Sequence, residues 1–240
     1  MIKSISIVLP LFNEASRLNK TFQEVKKFIK KNKIKSKEFI FVDDGSYDNS
    51  SRMINNFIKN NKFKSSKLRF FRLNNNSGKG AALKKGVEIC KNDWILTSDI
   101  DFSVSLFELD IWEKKNFIRN HHSVYFGSRA HNSSKVKSKF YRKIIGNFLR
   151  VLISLILGIR IKDTQCGFKL YKKKIAKKIF SQIKFLGYEH DIEIVLLLKK
   201  IKIKAIELPV TWKHEKLSKV NVISDSLKMF LKLFIMRIKY

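Results

Sequence analysis

The chain has 240 residues, 44% of them hydrophobic and 12% aromatic, enough apolar material for one domain with a substantial core, which excludes an intrinsically disordered polymer. Its 51 basic residues against 20 acidic ones give a formal net charge of +31, a balance that implies an anionic partner: nucleic acid, anionic lipid or a phosphorylated substrate. Only ten of the basic residues are arginine, and a lysine excess accompanied by abundant Ile, Asn and Phe also follows from an A/T-biased genome.

In chain order, SISIVLP reads as a strand, followed by a helix from about Asn13 to Lys31, a strand EFIFV, a helix from about Asp48, a strand LRFFRL, a helix from about Gly78 and a strand in DWILTSD. Short β-branched or aromatic runs that alternate with amphipathic stretches predict parallel βαβ units, an α/β fold with helices on both faces of the sheet. Ligands of such sheets bind beyond the carboxyl ends of the strands. PLFNE, DDGS, NNNSGKG and SDID each follow a predicted strand, so these four polar clusters are expected on one edge. The second half is less regular. It holds a strand SVYFGSR, a helix from about Ser138 to Gly158, the segment DTQCGFKLY, a helix around Asp191 to Lys200, a strand IKAIELPV and a basic helical stretch ISDSLKMFLKLFIMRIKY. No repeat and no Pro/Gly-rich linker marks a boundary; residues 1–220 are expected to form one unit and residues 221–240 a basic amphipathic helix.

Cys90 and Cys166 lie far apart and match no CxxC spacing, so reduced thiols are expected. The apolar run in MIKSISIVLPLFNE ends at Pro10, unlike a secretory signal. His121, His122, His131, His190 and His214 show no ligand spacing.

Asp99 and Asp101 stand at i and i+2, so a strand continuing through both would project them to one side, where two carboxylates repel. A hard divalent cation, Mg²⁺ or Mn²⁺, removes that conflict: it takes one or two carboxylates and fills its shell with water and substrate phosphate oxygens. A solvated turn is the plain alternative, because Asp favours strand-to-loop junctions.

The order SIVLPLFNEA, FIFVDDGSYDNS, NNSGKGAALKKG and LTSDID resembles glycosyltransferase family 2. FGSRA, RKIIGNFLRVLISLILGI, KDTQCGFKLY, GYEHDIEIVLL and IELPVTW resemble its dolichyl-phosphate β-glucosyltransferase branch and the bacterial polyprenyl-phosphate relatives, over essentially the whole chain. The resemblance implies a GT-A type, Rossmann-like, mostly parallel sheet with additional amphipathic helices. It also implies nucleotide contacts from Pro10, Phe12, Glu14, Asp43, Lys79 and Asp99, with Phe12 standing where the family more often has Tyr. Asp99 and Asp101 become the metal carboxylates of the D-x-D, Asp101 and Asp163 the catalytic ones, and Arg129 and Arg142 the arginines that meet an acceptor phosphate. Asp191 and Glu193 fall in an acidic patch that assists sugar binding, with salt bridges to nearby lysines as the alternative. Asp48 reads as a helix cap. A general-base label for Asp163 meets a physical objection, since a polyprenyl phosphate is already anionic at neutral pH.

Lys143, Asn147, Arg150 and Ser154 form one polar stripe on an otherwise apolar helix, whose longest uncharged run, Val151 to Ile159, is far short of the roughly 20 residues that span a bilayer. An interfacial helix and a core helix both fit this pattern. Lys228, Lys232 and Lys239 share one face near the end of the chain, with Arg237 off it. The resemblance thus implies an inverting hexosyltransferase moving glucose by preference from a nucleoside diphosphate sugar such as UDP-glucose to a polyprenyl phosphate, and the basic charge and the two helices add the expectation of a peripheral enzyme on the cytoplasmic face of an anionic membrane. A glycan acceptor is the nearest alternative. A nucleic-acid binder would explain the charge, yet the aromatics sit in predicted core strands and no RRM, KH or zinc-finger signature is present, so no nucleic acid is expected. A nucleotidyltransferase would need a Gly-rich loop where PLFNE stands.

Overall fold

The computed structural model describes residues 2–137, 150–213 and 232–240. Its first half alternates β1 (Ser4–Leu11), α1 (Ala15–Lys31), β2 (Ser36–Asp43), α2 (Ser50–Lys59), β3 (Ser66–Arg72), α3 (Lys79–Ile89) and β4 (Trp94–Thr97). There follow α4 (Glu108–Lys114), β5 (Val124–Ser128), β6 (Lys135–Lys137), α5 described over residues 150–157, β7 (Lys169–Lys172), α6 (Lys173–Gln182), α7 (His190–Lys200), β8 (Ile206–Pro209), β9 (Thr211–Lys213) and α8 described over residues 232–239.

Seven strands form one sheet in the order β3-β2-β1-β4-β7-β5-β8. All pairings are parallel except those of β7, which runs against both β4 and β5. β6 and β9 form a separate parallel pair.

The strand sequences explain why both faces are covered. In β1 and β2, Ile7, Leu9, Phe39 and Phe41 point to one side and Val8, Ile40 and Val42 to the other, all fully buried. On the first side α1 contributes Leu18, Phe22, Val25 and Ile29, an i, i+4, i+7, i+11 stripe, and α4 contributes Trp112. On the second side lie α3, α6 and α7, with Ile153 and Leu157 of α5 and Leu233 and Met236 of α8. Burying each such large side chain contributes about 1.5–3 kcal/mol. Pro10, inside a central strand, breaks no rung toward β4, because that pairing ends at Val8 and Thr97.

Two elements differ from the sequence reading. The strand expected to run through DWILTSD ends at Thr97, so Asp99 and Asp101 sit in the following turn, where Phe102 has φ 49° and its amide donates to the Asp99 carbonyl. α5 is both a core and a surface helix: Ile153 and Leu157 are buried while Val151 and Leu155 are exposed. Arg142, Lys143, Asn147, His214, Lys228 and the remaining parts of the two expected helices at 138–158 and 221–240 lie outside the described residues. Among those described, no helix is long and apolar enough to cross a membrane.

Candidate active site

The carboxyl ends of β1 to β5 and the amino end of the reversed β7 meet at one edge of the sheet, so PLFNE, DDGS, NNNSGKG and SDID are joined there by GSR after β5 and DTQCG before β7. The reversal of β7 is what delivers DTQCG to this edge.

At the β1–β2 side, Asp43 is fully buried at the end of β2. Its Oδ1 accepts the Ser46 amide at 2.9 Å, its Oδ2 accepts the Ser51 hydroxyl, and Arg72 Nε stands 3.9 Å away. Asp44 accepts the amides of Ser77 and Gly78, both at 2.8 Å, and thereby ties DDGS to the SGKG loop. Burial pushes the Asp44 carboxyl above the usual range, and the Asp43 charge adds to this against the two amide donors. Asp48 caps twice, accepting the first amide of α2 (Ser50, 2.9 Å) and the first amide of α1 (Ala15, 3.1 Å). Phe12 packs edge-on against the exposed Tyr47 ring, with centroids 5.6 Å apart.

In the D-x-D turn each carboxylate has its own cation. Lys79 Nζ, at the first residue of α3, donates to Asp99 Oδ1 at 2.6 Å. Asp101 Oδ1 accepts the Ser103 amide at 2.9 Å and its Oδ2 lies 3.6 Å from Arg17, whose Nε is 3.3 Å from Glu14. Burial and the nearby charge of Asp99 raise the Asp101 carboxyl above the ordinary carboxylate range, against the Ser103 amide and Arg17. Burial alone would lower the Lys79 ammonium; the charges of Asp99 and Asp191 outweigh it and hold the amine firmly protonated. A Cβ built on Gly167 would stand 2.5 Å from Asp99 Oδ2, so only glycine lets the DTQCG segment lie directly on this carboxylate.

Asp163 is buried and saturated by Arg129. Its Oδ2 accepts the Arg129 backbone amide and Nε, and its Oδ1 accepts Nη2, each at 2.8 Å. Burial opposes ionisation, but Arg129 wins and holds the Asp163 carboxyl below its ordinary value. Arg129 also lies 5.9 Å from the Trp212 ring and feels the Asp99 charge. Asp191 is paired with the buried Lys169, and His190 Nε2 lies 3.3 Å from Asp191 Oδ1. Against its burial, the charges of His190, Lys169 and Lys79 keep the Asp191 carboxyl low. Lys169 also donates to the Thr164 carbonyl at 2.7 Å, which links Asp191 to the Asp163 segment. Glu193 is turned away from this cluster: its fully buried carboxylate accepts the amides of Lys184 and Phe185 at 2.8–3.0 Å and the Tyr240 hydroxyl at 2.5 Å.

Two residues absent from the sequence reading thus contact the candidate site residues, Arg17 at Asp101 and Lys169 at Asp191. Arg17 has a readable signal, three residues after Glu14 on the same helix face. Lys169 has none, since a lysine in a short strand reads as solvated until packing buries it.

Asp99 and Asp101 offer hard oxygen donors, and the charge of Asp99 reaches the Asp101 carboxyl, a chemistry suited to Mg²⁺ or Mn²⁺. Among the described residues no cluster of three or more His, Cys, Asp or Glu side chains could hold an ion. A cation here would take the rest of its shell from water and substrate oxygens.

Residues 6–180 match the family described as glycosyl transferase family 2. The chain belongs to glycosyltransferase family 2. This family 2 enzyme is 30% identical to a dolichyl-phosphate beta-glucosyltransferase of Dictyostelium discoideum, over 98% of this chain and 74% of that one, and 29% identical to the protein of that name from Homo sapiens, over 99% and 76%. Glucosyl-3-phosphoglycerate synthase from Mycobacterium tuberculosis, solved with Mg²⁺ and UDP, superposes with a TM-score of 0.66 at 12% identity, covering 98% of this chain and 79% of that one. A mannosyltransferase from Pyrobaculum calidifontis, solved with GDP-Man and Mn²⁺, gives 0.60 at 15% identity, covering 98% and 64%. At these identities the likeness is one of fold, and it establishes the glycosyltransferase as GT-A in architecture.

Proposed function

We propose that this family 2 glycosyltransferase moves a hexosyl group, glucose by preference, from a nucleoside diphosphate sugar such as UDP-glucose to a polyprenyl phosphate at the cytoplasmic face of a membrane. The observation that carries this reading is the contact of Gly167 with Asp99, which sets the DTQCG segment against the D-x-D carboxylate.

In this reading Pro10, Phe12, Glu14 and Asp43 line the nucleotide side, and Asp43 accepts a hydrogen bond from a base imino N–H. Lys79 and Arg17 supply positive charge beside the diphosphate. Asp99 and Asp101 would hold Mg²⁺ or Mn²⁺, whose chemistry when bound is Lewis acidity toward the departing diphosphate. An oxygen of the acceptor phosphate attacks the anomeric carbon as the bond to the nucleoside diphosphate breaks, with inversion. No proton has to leave the acceptor. Asp163, held below the ordinary carboxylate range, is a poor proton acceptor near neutrality, so its part is to orient Arg129. Arg129 gives one Nε–H and one Nη2–H to Asp163 and retains further N–H groups of its fork for phosphate oxygens, with Arg142 as a second candidate. Asp191 is assigned to the sugar side, while Glu193 acts through the loop it holds.

The membrane part rests on α5 and α8, which are joined by Arg237 donating to the Ile156 carbonyl. Val151 and Leu155 of one and Ile235 and Ile238 of the other are exposed. The protein's net charge of +31 suits an anionic leaflet, each basic side chain near the surface contributing about 1 kcal/mol.

The test is purified protein with UDP-glucose and a short polyprenyl phosphate. UDP release that requires both the lipid and Mg²⁺ or Mn²⁺, with formation of a glucosyl lipid, is the expected result. Absence of lipid-dependent release from UDP-glucose, and equally from UDP-GlcNAc and GDP-mannose, would sink the proposal.

A further inference from the structure

We infer that α8 is a positioning element for the donor loop: through Lys232 and Tyr240 it holds residues 183–189 in place, and these hold Gly78 to Gly80 and with them Lys79. The inference rests on the assignment of Lys79 to the donor side of the site.

The connection is continuous. Gly80 donates its amide to the Leu186 carbonyl at 2.7 Å. That same carbonyl oxygen would lie 2.3 Å from a Cβ on Gly78, whose φ is +99°. The SGKG turn is therefore shaped against the backbone of Leu186, and the position of Lys79 follows from it. The Leu186 segment in turn has its amides at Lys184 and Phe185 captured by the Glu193 carboxylate. At its other end Gly187 lies under the Glu189 carboxylate, 2.5 Å from where a Cβ would sit.

Both of these carboxylates are buried and both receive a donor from α8 or the residue that follows it: Glu189 from the Lys232 ammonium, Glu193 from the Tyr240 hydroxyl. Lys239 adds a cation over the Phe185 ring, 5.0 Å from its centroid. α8 is itself anchored, with Leu233 and Met236 fully buried and Arg237 bound to the Ile156 carbonyl of α5. Apolar packing alone would hold α8 on the core. The polar network fixes direction as well as distance, since Glu189 and Glu193 grip the two ends of the segment whose Leu186 carbonyl meets Gly78 and Gly80.

The experiment compares wild type with Tyr240→Phe, Lys232→Met and Lys232→Arg. Tyr240→Phe and Lys232→Met are expected to raise the KM for the sugar nucleotide about threefold to tenfold each, the size of one lost hydrogen bond, with the acceptor KM unchanged. In Tyr240→Phe the thermal midpoint should move by no more than about 4 °C, and Lys232→Arg should restore the donor KM. Donor KM at the wild-type value in both variants would overturn the inference. So would a parallel fall in donor affinity, acceptor affinity and thermal midpoint, which is the signature of α8 serving only as core packing. Calorimetric binding of UDP in the presence of Mn²⁺ separates the two levels. If wild type binds UDP but transfers nothing to polyprenyl phosphate, the proposed reaction fails, while a weaker UDP affinity in the variants still upholds the positioning role and an unchanged one defeats it. If wild type does not bind UDP at all, both fall.

Discussion

Under the proposed reaction, Asp101 is a side chain that costs stability and serves transfer. Its carboxyl is partly buried, beside the charge of Asp99, and disfavoured in its ionised form. Asp101→Ala should therefore leave the thermal midpoint at or above that of wild type while reducing transfer by about two to three decades, read as kcat at saturating substrates. The Arg129–Asp163 pair behaves in the opposite way. Asp163 is depressed on folding, so its contribution is complete above the unfolded value of about 4 and is lost as pH falls through the lower folded value. The groups facing it are Arg129 and Lys169, with Cys166 nearby and Glu207 taking its backbone amide. Arg129→Met leaves the carboxylate buried without its partner. The cost is about 1–3 kcal/mol at pH 7, discounted because the guanidinium is one-third exposed, and the gap in thermal midpoint from wild type should narrow as pH drops below 4. A gap that widens in acid would contradict the assignment.

At the scale of elements, the site is built from turns whose shapes depend on particular glycines. Gly167→Ala places a methyl group on the Asp99 carboxylate, so the carboxylate must move away; transfer should fall by about tenfold or more, with the circular dichroism spectrum unchanged. Gly78→Ala has no such escape, because φ is +99° and the obstruction is the backbone carbonyl of Leu186. Destabilisation by more than about 1 kcal/mol in a denaturant titration is expected. The alternation of β1 to β4 with α1 to α3 was readable, since β-branched and aromatic runs separated by amphipathic stretches admit few other arrangements. The end of β4 was readable only as one of two alternatives: aspartates favour a strand-to-loop junction, but nothing local in WILTSDID decides between a turn and a strand continuing through Asp99 and Asp101, and pairing stops at Thr97. α6 went unread although its signal is present: in KKIAKKIFSQ, Ile175, Ala176, Ile179 and Phe180 recur at helical spacing and mark the face that is buried.

For the molecule as a whole, the exposed apolar residues of α5 and α8 and the charge of +31 lead to one measurable expectation. The protein should sediment with anionic liposomes at low salt and be released as ionic strength rises past the point where the Debye length shrinks below about 10 Å. Leu155→Glu, at a residue 76% exposed, should weaken that binding without lowering the thermal midpoint; binding equal to wild type would remove α5 from the contact. The amino-acid sequence by itself determined that polar clusters after successive parallel strands converge on one edge, because strand direction and period follow from local pattern; within those clusters the spacing singled out Asp99 and Asp101, and the resemblance to family 2 singled out Asp43 and Lys79. Only the tertiary structure decided that Asp163 is already bound by Arg129, that Arg17 and Lys169 reach Asp101 and Asp191, and that Glu193 takes the amides of Lys184 and Phe185 together with the Tyr240 hydroxyl. These pairings join residues distant in the chain. The balance between burial and a partner's charge that governs them exists only once the reversed strand β7 and the helices behind it have closed the core.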